Sequence, residues 1–236
     1  MGGAPWSYKG ERKMKGRVRA ILHDLEAVRE NLLALSDDIW LEIDHNDPKS
    51  LEEGYQFKKE YNEKMRTFDQ IAHEISAMIQ QFMDVNVEEE TVQGQKSKED
   101  NERVIRELNK EEPHTLDEDF AYKRPYGFVL EGQAFKDIVT WRRLYEVFCK
   151  QLEKKNPTLF NNLAQNKEFI SRRGNKAFSD NPNDFHVALQ LNDRLYAEGN
   201  LSANQIRKNM KKLLDVFAVS PENCVIYLRE DRNSEE

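Results

Sequence analysis

Cysteine is scarce: the 236 residues include only Cys149 and Cys224. Two thiols make no disulfide framework, and neither lies in a CxxC or Cys/His cluster. Their contexts, EVFCKQL and ENCVIYL, are apolar, so both are expected to be buried small side chains in a reducing compartment. The five histidines (His23, His45, His73, His114, His186) are scattered, without the HxxxH or HExxH spacing of a metal site. There is no GxSxG, no Walker loop and no GxGxxG, which removes the usual signatures of hydrolases and nucleotide-binding enzymes. No stretch approaches the ~20 consecutive apolar residues of a membrane span. The first residues, MGGAPWSYKGERKMKGR, have no apolar core for a secretory signal, and Trp6 stands where a myristoylation motif needs Ser or Thr. The expectation is a cytoplasmic protein with no metal, no cofactor and no membrane contact.

Charge is plentiful but uneven. Hydrophobic residues make up 38% and charged residues 33%, a balance that suits an elongated helical part beside a smaller globular core. The net charge is −7. Residues 1–117 hold 17 basic and 26 acidic side chains, and residues 118–236 hold 19 and 17. A globally basic footprint for nucleic acid is therefore absent, and only a local patch remains to be sought.

Val18, Ile21, Leu25, Val28, Leu32, Leu35 and Ile39 are spaced 3, 4, 3, 4, 3, 4, an unbroken heptad seam. His45-Asn46-Asp47-Pro48 then signals a turn. A second helix is expected to start between 47 and 51, capped by Asp47 with Pro48 or by Ser50 with Glu53. Its own seam is Tyr61, Met65, Phe68, Ala72, Ile75, Ile79 and Phe82. So short a connection makes an antiparallel hairpin over 17–83 the expected structure, after a flexible extension at 1–16 or a start at Met14. Gly54 is expected to loosen the second helix by ~1 kcal/mol relative to Ala. One seam cannot use all the apolar residues of the hairpin. Leu22, Leu33, Trp40, Leu41, Ile71 and Met78 are the surplus, and are expected to meet the chain's own C-terminal domain, a second copy or a partner helix. Trp40 is either an exposed anchor or a cap on its own hairpin.

From Asp84 to Asp119 the chain holds 13 acidic and 5 basic residues, expected to form a solvated linker over 84–117, with a short helix carrying Val104, Ile105 and Leu108. Residues 118–230 read as an α+β domain of helices on an antiparallel or mixed sheet, followed by a tail at 231–236. A strand at Tyr126–Leu130 turns at Glu131-Gly132 into Ala134–Val139, and Thr140 caps a helix beginning TWRRLYE. Pro157 starts a short helix, KEFISRR and KAFS flank a turn at Gly174-Asn175, and VALQLNDRLYAE holds two strands. Ser202 caps a last helix, and Cys224–Leu228 closes the sheet.

Four blocks of this region, FVLEGQAF, TWRRLYE, RRGNKAFS and YAEGNLSANQI, precede a basic helix and an IYL strand. Their pattern over about 118–229 resembles uncharacterised bacterial domains associated with restriction and anti-phage defence genes. The resemblance implies a genomic context and transfers no catalytic residue.

The remaining candidates are charged groups. Arg142 and Arg143 open a helix, Arg172, Arg173 and Lys176 flank a hairpin turn, and Arg207, Lys208, Lys211 and Lys212 lie opposite the apolar face of the last helix. If these three groups converge they can neutralise phosphates. A carboxylate cluster for two-metal nuclease chemistry is to be sought at Asp117-Glu118-Asp119, and Glu131 through Lys136 has the wrong spacing for it. The leading expectation is a non-enzymatic assembly or recognition component of a bacterial multi-protein system of the defence type, its hairpin contacting a partner or another copy. The alternatives are a nucleic-acid-binding module using the basic groups and a nuclease-like enzyme whose site forms only on folding.

Overall fold

The computed structural model describes residues 8–83, 97–171 and 174–229. Its contacts divide into two compact units. One is the N-terminal hairpin without residues Glu30–Asp37; the other is the C-terminal fold, which counts Glu30–Asp37 with it.

The hairpin consists of α1 (Tyr8–Glu42) and α2 (Pro48–Met83), two long helices packed as a pair. α1 begins at Tyr8, so helix takes in the second half of the expected extension at 1–16. At the turn the Asp47–Pro48 start prevails over Ser50: Asp47 Oδ2 accepts from the Ser50 amide at 3.0 Å, and Pro48 occupies the first helical position. Asp44 Oδ1 accepts from the Asn46 amide at 2.9 Å and tightens the same turn. Gly54 is buried, and a Cβ there would drive into the Ile43 side chain. The glycine therefore leaves room for Ile43, just past the end of α1, rather than merely loosening one helix. Gly54→Ala is expected to lose stability despite its better helix propensity, because overpacking costs about 1–3 kcal/mol against a propensity gain of about 1. Ile43→Val in the same chain should return part of the loss in thermal melts.

The C-terminal unit is α+β, and its strands pair antiparallel throughout. A four-stranded sheet has the order β1-β7-β2-β3, from β1 (Pro113–His114), β2 (Pro125–Leu130), β3 (Gln133–Lys136) and β7 (Cys224–Leu228). A smaller sheet has the order β4-β6-β5, from β4 (Phe178–Ser179), β5 (Ala188–Gln190) and β6 (Tyr196–Glu198). Glu131 and Gly132 both take positive φ, 47° and 77°, as the tight β2–β3 turn requires. β3 ends at Lys136, short of the expected Val139, because Asp137 leaves the extended region with φ 62°.

Helices lie on both faces of the larger sheet. α4 (Trp141–Lys155) and α6 (Ala203–Val216) bury Trp141, Leu144, Phe148, Ile206, Met210 and Leu213 in one cluster with Phe128, Leu130 and Ile226. α3 (Lys98–Leu108) packs Val104 and Leu108 with Ala134 and Tyr227. The alternation along β2 and β7 explains the two faces, since successive residues of a strand point to opposite sides. α5 (Pro157–Asn161) follows directly on α4. Thr140 Oγ1 accepts from the Arg143 amide at 3.2 Å, and Ser202 with Gln205 forms a capping box on α6. Before the turn at Gly174-Asn175 lies a 3-10 turn, Lys167–Phe169, and across it the expected hairpin is reduced to one antiparallel bridge from Ile170 to Lys176.

The folded unit begins earlier than the boundary read at 118. Ser97 caps α3 by accepting from the Asp100 amide at 3.1 Å. Asn101 then bridges to the sheet: its Nδ2 donates to Gly132 O at 2.7 Å and its Oδ1 accepts from the Ala134 amide at 2.9 Å. Asn101→Ala removes both bonds and leaves two backbone groups to find water. A loss of about 1–2 kcal/mol is expected, measured by urea unfolding. Residues 84–96 of the expected linker and the tail at 231–236 lie outside the described residues.

Candidate functional surface

On α1 the heptad seam is not the buried side. Leu22, Arg29 and Ser36, seven residues apart, are buried, together with Ala27, Glu30 and Ala34. Ile21, Val28 and Leu35 face water, Ile21 at 62% exposure. The expectation that the seam closes the hairpin is thus corrected: three of its seven residues stand open, and the other four are half-buried. The buried arc mixes apolar and polar side chains, and part of it carries hydrogen bonds rather than only apolar contact. Within the C-terminal unit, Glu30 Oε1 accepts from the Arg142 amide at 2.9 Å and Asp37 Oδ2 accepts from Gln205 Nε2 at 3.1 Å. Arg29 is paired with Glu26 at 2.6 Å.

α2 repeats the arrangement. Met65 is buried and Tyr61, Phe68, Ala72 and Ile79 are half-buried, while Ile75 and Phe82 of the same seam are exposed. Ile71 and Met78 join them, so that residues 71, 75, 78 and 82 form a stripe at helical spacing, with Phe82 at 87% exposure. Of the six surplus residues, Leu41, Ile71 and Met78 are exposed, Leu33 is half-buried and Leu22 is buried. Trp40 is half-buried, its ring 5.5 Å from that of His45, and its carbonyl 3.3 Å from His45 Nε2. It covers its own hairpin turn and is no free anchor.

The basic candidates are largely engaged inside the C-terminal unit. Arg143 Nη1 donates to Glu146 Oε2 at 2.5 Å, and Lys176 pairs with Asp184 at 2.9 Å. Arg207 donates to the backbone carbonyls of Asp117 and Glu118, Lys211 pairs with Asp117, and Lys212 donates to Glu168 O at 3.2 Å. Arg142 is half-buried, its guanidinium close to Gly199, and Lys208 is exposed. Arg172 and Arg173 lie outside the described residues.

The carboxylates sought as a metal cluster have the same fate. Asp117 meets Lys211; Glu118 lies 2.7 Å from His114 Nδ1 and from the Thr115 amide; Asp119 accepts from the Ala121 amide at 2.7 Å and from Asn204 at 2.8 Å. Asn204 in turn accepts from the Phe120 amide at 3.1 Å. These bonds fasten the 117–121 loop to α6. Glu131 likewise pairs with Lys155. Among the described residues no three His, Cys, Asp or Glu side chains gather to hold a metal ion.

The hydrogen bonds set the titration of the loop. The Lys211 bond lowers Asp117, the His114 bond and then the Thr115 amide lower Glu118, and the Ala121 amide and then Asn204 lower Asp119. A carboxylate depressed on folding contributes stability that is full above its unfolded pKa and lost as pH falls through its folded one. The thermal midpoint should therefore hold steady from pH 7 to about 5 and drop below about 4. Asp119→Asn should flatten that drop, and a midpoint unchanged to pH 3 would count against these bonds.

Both cysteines are buried and unpaired. Burial, with Glu146 adding to it, pushes the Cys149 thiol far up, and burial pushes Cys224 up to about 12, so neither forms a ready thiolate. No helix among the described residues is long and apolar enough to cross a membrane. No family model, curated protein or solved structure matches this chain.

Proposed function

We propose that the chain is a non-enzymatic assembly component that docks through its helical hairpin. One observation carries the reading: α1 and α2 each leave an apolar stripe open to water, Ile21, Val28 and Leu35 on the first and Ile71, Ile75, Met78 and Phe82 on the second. Large apolar side chains in register along a helix cost solubility unless something covers them. Helical seams of this kind are covered by other helices, knobs into holes. The C-terminal unit supports the reading from the other side, since its buried side chains build a packed core and its cations and carboxylates mostly answer one another. The pattern of residues 118–229, which resembles defence-associated domains, is our reason for proposing a bacterial defence system as the setting of the assembly, and the identity of neighbouring genes would check that.

Maleimide labelling of Val28→Cys and Ile75→Cys variants tests the docking role, with light scattering alongside. Fast labelling of a monomer, or slow labelling of an oligomer, is expected. Slow labelling of a monomer would mean that the chain covers its own stripe, and would overturn the reading.

A further inference from the structure

We draw no further inference here: the strongest candidate, the apolar stripe of Ile71, Ile75, Met78 and Phe82 along α2, belongs to the docking surface already described, and nothing in the structure shows what covers it.

Discussion

Gly127→Ala is expected to cost the C-terminal unit about 3 kcal/mol or more, at the upper end of what overpacking does. Gly127 lies in β2, where the register against β7 shifts between Pro125 and Gly127. A Cβ on it would run into the backbone carbonyl oxygen of Phe135 on β3, and would lie 3.0 Å from Leu108 Cδ2 and 3.1 Å from Lys136 Cα. The obstacle is the main chain of a paired strand, and it cannot step aside without breaking the β2–β3 ladder. The contrast with Gly54 is instructive, since there the obstacle is the side chain of Ile43, which can be trimmed. Trimming Leu108 beside Gly127→Ala should not rescue the fold. Urea unfolding followed by tryptophan fluorescence reads the loss as a shift in midpoint. Because whole-domain stabilities are about 5–15 kcal/mol, the variant should sit near its unfolding threshold at 37 °C.

Trp141→Ala should be equally damaging, at about 3–5 kcal/mol. Trp141 is the first residue of α4 and is buried. Its ring stacks on Phe120 with centroids 4.8 Å apart, and its Nε1 donates to Lys123 O at 2.7 Å. The side chain thus pins the 117–123 loop to the helix that floors the core. Trp141→Phe separates the two contributions. It keeps most of the stacking and strands the Lys123 carbonyl, for an expected loss of about 1 kcal/mol. A phenylalanine variant as unstable as the alanine one would place the weight on the hydrogen bond rather than on packing.

Most elements of the fold were legible because their signals are local. Thr140 and Ser202 announce helix starts through side chains that bond three residues on, and Glu131-Gly132 announces a turn through its need for positive φ. The open seam was legible as a pattern and not as a surface. The heptads of α1 show that Ile21, Val28 and Leu35 share a side, yet nothing local says that water rather than α2 lies against it. The buried side of α1 is held in part by Glu30 and Asp37, whose partners are Arg142 and Gln205, 112 and 168 residues away. Pairings at that separation leave no periodic trace. The basic groups fail for a related reason. A sequence displays Arg207 and Lys211 on one helix face but conceals that Asp117 and Glu118 fold back onto them. Asn101 hides most completely, since a single polar residue in an acidic stretch gives no sign that it will grip a turn 31 residues on.

That grip has a consequence for solubility. β3 is the last strand of its sheet, and such a strand offers bare amides and carbonyls to any passing extended chain. Asn101 takes one donor and one acceptor there, at Ala134 and Gly132, with a side chain that mimics a neighbouring backbone and then ends. It stops the sheet from growing by closing its border with an amide that cannot be extended. Losing it would open a template for strand addition, so the alanine variant should aggregate on concentration even where its native fold is retained.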